Sequence, residues 1–279
     1  MLEQLLEVIR LRAAGEDNFT GGNMHPGAYR VYGGQVLAQA VSAAVSTVDE
    51  GRTIHSQHAY FLRPGDASTD IEYQVERARD GGSFSSRRVV ALQRGKPILV
   101  SSMSFQEASR SDEYQPPMPE VAEPEDLVTD RQQALATSTL DQDFMVTTGE
   151  DLDVRLCTPL DWQNPTPQMP PLQAWVKTNG KVADETGLHQ ALLAYFSDMY
   201  LIDACLMIHG RPYTDPSLQV ASLDHALWFH QSFRADDWLL LSMDVERVGG
   251  GRGLARGRFF TRDGQMVATA MQEGLMRFR

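Results

Sequence analysis

Apolar and polar positions alternate in two different rhythms along this chain, and the order in which they appear is itself repeated. GGQVLAQAVSAAVST (33–47) and GLHQALLAYFSDMYLIDACLMI (187–208) carry apolar residues at helical spacing. After the second of these come QVASLDHALWFH (219–230), WLLLSMDVERV (238–248), RGLARGRFFT (252–261) and QMVATAMQEGLMRF (265–278). These four runs read as strands, with turn signals such as Arg262-Asp263-Gly264 between them. LDVRLC (152–157) and PLQAWVKT (171–178) predict two further strands ahead of the second helix.

Short matches tie the two halves together. His58-Ala59 recurs as His225-Ala226, Val75-Glu76-Arg77 as Val245-Glu246-Arg247, and Gly81-Gly82 as Gly249-Gly250. Gly95-Lys96-Pro97-Ile98 has a looser counterpart in Gly264-Gln265-Met266. All fall in one order at nearly one separation, the signature of an internal duplication. The expected organisation is one copy over 1–107, a linker over 108–150 and a second copy over 151–279. The linker is marked by Pro116, Pro117, Pro119, Pro124 and a run of acids.

The second helix has no polar face. Around Asp198, the positions three, four and seven residues away are Tyr195, Leu201, Ala194, Ile202, Ala191 and Cys205. Leu192, Phe196, Met199 and Leu206 make the opposite side apolar as well, so the helix is expected to be buried, wrapped by a curved antiparallel sheet. A carboxylate in such a helix is costly unless paired or used. Asp203 has similar neighbours, and the helix pattern alone does not choose between the two.

Composition narrows the function. With Lys+Arg 25 against Asp+Glu 37, the net charge of −12 argues against general nucleic-acid binding. Cys157 and Cys205 have no disulfide-framework or metal-ligand spacing, and no metal or cofactor is expected. His55 and His58 sit three apart on a strand, facing opposite ways, with no third ligand. No apolar run reaches membrane-spanning length, the N-terminus lacks a signal-peptide pattern, and Arg277-Phe278-Arg279 is no peroxisomal address, so a cytoplasmic protein is expected.

Strand alternation places Ser222 and Asp224 on one face with Val220, Ala226 and Trp228, and turns His225 away. Together with the lack of a G-x-S-x-G elbow, this argues against a hydrolase triad of Ser222, Asp224 and His225. Gln272 shares a small apolar face with Met266, Ala268 and Ala270, where a buried amide needs partners for both ends. The glycine stretch 249–257 fits a twisted hairpin and no phosphate loop.

VYGGQVLAQA (31–40), HSQHAYFLRPGD (55–66), RDGGSFSSRRV (79–89) and GKPI (95–98) resemble the acyl-CoA thioesterase II family. So do AYFSDMYL (194–201), ASLDHALWFH (221–230) and ATAMQEGLMR (268–277) in the second copy. The resemblance implies an α+β double hotdog, two fused copies of a helix wrapped by an antiparallel sheet. It implies hydrolysis of fatty acyl-CoA by a water held between Asp198, Ser222 and Gln272, and it selects Asp198 over Asp203. Placing the triad by the repeat sets His55 opposite Ser222 and Ser104 opposite Gln272, so one functional site per chain is expected, in the second copy.

Such a ligand needs local cations and an apolar tunnel. Arg87, Arg88, Arg252 and Arg256 are the candidates for the CoA phosphates, with His58 a further substrate contact. Met199, Phe196 and Trp228 are expected to line the acyl tunnel, and backbone N–H groups near 187–190 to hold the carbonyl oxygen. A homo-oligomer, dimer or tetramer, is expected by analogy. Three other readings stay open: a catalytically silent acyl-CoA-binding module, a hotdog dehydratase acting through His55 or His58, and a structural or interaction protein, which has only the acidic linker in its favour.

Overall fold

The computed structural model describes residues 2–137, 151–158, 160–161, 165–213 and 215–279. In the first copy, α1 (Leu2–Ile9), β1 (Arg12–Ala13) and β2 (Asn18–Gly21) lead into α2 (Gly33–Val45). Four long strands follow, β3 (Arg52–Phe61), β4 (Ile71–Asp80), β5 (Phe84–Gln93) and β6 (Lys96–Glu107). A short 3-10 turn at Pro124–Asp126 and α3 (Asp130–Thr137) belong to the linker, whose remainder to residue 150 lies outside the described residues. The second copy contains β7 (Leu152–Leu156), β8 (Leu172–Thr178), α4 (Thr186–Ser197) and α5 (Leu201–Met207). It ends with β9 (Leu218–Ser222), β10 (Asp224–Phe229), β11 (Leu239–Gly249), β12 (Arg252–Thr261) and β13 (Met266–Phe278).

All the strands join in one antiparallel sheet ordered β1-β2-β4-β5-β6-β3-β10-β13-β12-β11-β8-β7, with β9 beside β13. The copies meet where β3 pairs with β10, His58 opposite Ala226. The repeat read in the sequence lands on equivalent features. Each Val-Glu-Arg stretch carries a bulge, between Arg77 and Arg79 and between Val245 and Arg247. Gly95 and Gly264 both take the left-handed backbone of a hairpin turn, at φ 70 and 91°.

Helix α4 is buried on every side from Leu188 to Ser197, as its pattern requires. Its covering differs from the expectation: α2 packs along it antiparallel. A Cβ on Gly34 would stand 2.5 Å from the Tyr195 carbonyl oxygen, and one on Gly187 2.8 Å from Val45. Two glycines thus let the helices touch at both ends. Nor is 187–208 one helix. It breaks at Asp198–Tyr200, where Tyr200 adopts a left-handed φ of 61° before α5 starts. An aromatic residue there is uncommon, and the Tyr200 hydroxyl is tied to Asp130 at the head of α3.

The linker is docked rather than loose over its described part. Met118, Val121 and Leu127 cover a small second core of Trp175, Leu240 and Phe260 on the outer face of the sheet. Trp175 Nε1 donates to the Ala122 carbonyl at 2.9 Å, and Arg262 pairs with Glu123 and Glu125. Met266 joins this outer cluster instead of sharing the Gln272 face, because the β12–β13 register shifts by one residue between Phe259 and Phe260.

Candidate active site

The break after α4 decides where Asp198 goes. As the residue that ends α4, it leaves the helix beside the start of α2. There a Cβ on Gly33 would lie 2.7 Å from Asp198 Oδ2 and 3.0 Å from the Phe61 ring. Tyr32 fixes the junction: its hydroxyl donates to the Tyr195 carbonyl at 3.0 Å, and the two rings meet edge to face at 5.0 Å. The carboxylate therefore sits at the positive end of the α2 dipole.

Burial pushes the Asp198 carboxyl up to about 7, against the Gln272 amide, the Gly34 N–H and the charge of Arg30, which all favour ionisation. Its Oδ1 is buried and accepts no hydrogen bond from the described residues. Asp203 lines the same cavity and burial raises it to about 6, but only its own backbone N–H opposes that rise. Gln272 and Gly34 thus act on Asp198 and not on its competitor.

Gln272 is buried on the inward face of β13 with Ala268, Ala270 and Gly274. Its Nε2 donates to Ser222 Oγ at 2.9 Å. The strand carrying Ser222 is interrupted at Leu223. Ser222 pairs with Gly274, whereas Ala226 pairs with Met271, one residue out of register. Such a shift turns side chains to the other face. Ser222 and His225, which simple alternation separates, therefore both face Gln272. His225 Nδ1 lies 2.7 Å from Gln272 Oε1, and its Nε2 lies 2.8 Å from Ser197 Oγ. This partner is missed by alternation, because a single extra residue in a strand leaves no mark in the hydrophobic pattern.

Asp198, Ser222 and Gln272 open into one cavity of about 1120 Å³. Its apolar wall includes Val36, Phe61, Ile98, Met199, Ile202 and Val220. Of the three residues expected to line a tunnel, only Met199 does. Phe196 is fully buried in the core, and Trp228 packs edge-on against the exposed His58 on the outer sheet face.

The arginines fall elsewhere than expected. Arg87 is buried inside the first copy, bonded to Thr47 and Asp80. Arg88 pairs with Glu76, Arg252 with Glu273, and Arg256 with Asp244 and Glu246. None of these four, nor His58, lines the cavity; Arg30, Arg63 and Arg279 do. None of those three forms an ion pair among the described residues: Arg30 donates to the Tyr213 hydroxyl and Arg63 to the Pro97 carbonyl at 2.7 Å. They sit in loops and at the chain end, where no periodicity marks them.

The N–H groups expected near 187–190 are also displaced. Helix α4 is 12 residues long, so residues 187–190 lie about 12–17 Å along its axis from Asp198. The helix start beside the carboxylate is that of α2. In the first copy, Ser104 lies on the less buried face of β6 while the neighbouring Met103 points inward, so that strand presents no amide to a site. His55 is partly buried with an unbonded Nε2.

Two family models match the chain, "Acyl-CoA thioesterase N-terminal domain" over residues 20–106 and "Acyl-CoA thioesterase" over 160–275. Acyl-CoA thioesterase 2 of Haemophilus influenzae is 37% identical over 100% of this chain and 98% of its own length. The crystal structure of an acyl-CoA thioesterase II from Mycobacterium marinum superposes with a TM-score of 0.81 at 38% identity, covering 100% of this chain and 99% of that one. A protein with a hot dog fold from Alicyclobacillus acidocaldarius shares the fold at a TM-score of 0.80 and 17% identity, covering 99% and 98%. With full-length relatives at this identity and both halves matched, the double hotdog is an acyl-CoA hydrolase, and the chain belongs to the acyl-CoA thioesterase II family.

Proposed function

We propose that the chain hydrolyses fatty acyl-CoA by direct attack of a water held between Asp198, Ser222 and Gln272. The observation that carries this reading is the unpartnered, buried Oδ1 of Asp198, on a carboxylate whose burial brings it to about 7. A base poised near neutrality takes a proton from water best at physiological pH. Gln272 already donates to Ser222, which leaves the serine hydroxyl proton for the water oxygen.

In the proposed step, the water oxygen bonds to the thioester carbonyl carbon while its proton passes to Asp198 Oδ1. The carbonyl oxygen takes the negative charge and accepts from the Gly33 N–H in the first turn of α2, the Gly34 N–H being held by Asp198. Collapse of this adduct breaks the carbon–sulfur bond, and the proton on Asp198 passes to the departing thiolate. A thiolate leaves easily, since thiols ionise near pH 8.5, so no stronger acid is required. The apolar wall suits an acyl chain, and Arg30, Arg63 and Arg279 suit the CoA phosphates.

A dehydratase reading is less well supported, because no histidine among the described residues lines the cavity. Mass spectrometry of the protein quenched during turnover tests the direct attack. An unmodified Ser222 peptide at every time point is expected, and an acylated Ser222 that forms and decays with turnover would replace this mechanism with a two-step one.

A further inference from the structure

Resting on the reading of Gln272 as a water-orienting residue, we infer that His225 is a positioning residue that fixes which end of the Gln272 amide faces Asp198 and the water. An amide can sit in its site either way round, with its NH2 or its carbonyl oxygen turned inward, and the two ends have similar shape. Only one orientation serves the reaction. With the NH2 inward it donates to Ser222 Oγ and toward the Asp198 carboxylate. Reversed, its oxygen would face that carboxylate and Ser222 would lose its donor.

The hydrogen bonds behind Gln272 select the orientation. Oε1 can only accept, so the 2.7 Å contact puts a proton on His225 Nδ1. His225 is 1% exposed, and burial pulls its pKa down to about 4, so the ring is neutral near pH 7 and Nε2 is an acceptor. The group facing Nε2 at 2.8 Å is the Ser197 hydroxyl, which can donate to it. A carbonyl there would have enforced the opposite tautomer. The same hydroxyl also lies 2.9 Å from the Ala194 carbonyl, on the α4 turn that delivers Asp198, so it suits either tautomer and the choice is made at Nδ1. The Asp198 carboxylate, which only accepts, calls for the NH2 in front, His225 Nδ1–H holds the oxygen behind, and neither ring nitrogen touches the cavity.

Two measurements test this. Nitrogen-15 NMR of the wild-type protein at pH 7 is expected to show His225 neutral and protonated at Nδ1; protonation at Nε2 instead overturns the assignment. Acyl-CoA hydrolysis is then compared for His225→Leu, His225→Asn, Gln272→Ala and the double variant that combines H225L with Q272A. His225→Leu is expected to lose about 10- to 100-fold in kcat with KM changed less than about twofold. His225→Asn, whose amide N–H can replace the Nδ1–H, is expected to recover most of that loss. The double variant is expected to be no slower than Gln272→Ala alone, since both changes act through one amide. Full kcat in His225→Leu beside a slow Gln272→Ala, or additive losses in the double variant, overturns the inference while leaving the role of Gln272 intact. Full activity of Gln272→Ala overturns the water-orienting reading, and the role given to His225 with it.

Discussion

At the residue scale, Asp198 carries an ionisation cost that follows from its place. Its pKa rises from 3.8 to about 7 on burial, so the folded protein prefers the neutral acid. The resulting loss of stability is absent below about pH 4, grows as pH rises toward 7 and is full above it. Asp198→Asn is therefore expected to melt higher than wild type at pH 8 and to lose most of that advantage at pH 5; a variant less stable at pH 8 would show that the charged form is favoured in the fold. That Asp198, Ser222 and Gln272 meet at one cavity was expected from the motif resemblance, and Gln272 was already marked by its small apolar face. His225 was not, because alternation cannot reveal the one-residue slip at Leu223. The arginines failed for another reason: on strands, a cation paired with a neighbouring acid and one waiting for phosphate have the same sequence pattern.

At the element scale, the decisive feature is the break between α4 and α5. The apolar periodicity runs through Asp198 without interruption, so it predicts one helix where there are two. What stops the helix is tertiary: Tyr200 is held in a left-handed backbone by its bond to Asp130, which burial raises to about 6. Tyr200→Phe removes the donor and leaves a buried carboxylate less satisfied, at a cost expected to be about 1–3 kcal/mol. Urea unfolding measures this directly, and an unchanged midpoint would show that the break stands without the linker helix. The boundaries between β4 and β5 and between β11 and β12 were more legible, because those hairpins turn at glycine pairs that the repeat displays twice, Gly81-Gly82 and Gly249-Gly250.

At the scale of the whole molecule, the sequence showed the duplication and pointed to the second copy for the site, but not which parts of the first copy would line it. Asp198, Ser222 and Gln272 lie in the second copy, yet the first copy supplies Gly33 and Gly34 at the α2 start, the Phe61 wall, and two of the three cavity arginines. Contacts between copies depend on antiparallel helix docking, which no local pattern encodes. Arg63→Ala and Arg279→Ala are expected to raise KM for acyl-CoA several-fold and to leave KM for an acyl-N-acetylcysteamine, which lacks the nucleotide phosphates, unchanged. Equal effects on both substrates would place these arginines outside phosphate binding. The central claim, that Asp198 is the base for the attacking water, is met most directly by thiol release from a C4 to C18 acyl-CoA series, comparing wild type with Asp198→Asn. The expected result is a wild-type rate that falls as pH drops below about 7 and a variant slower by about 100- to 10,000-fold at every chain length. A folded Asp198→Asn that turns over at the wild-type rate would contradict it.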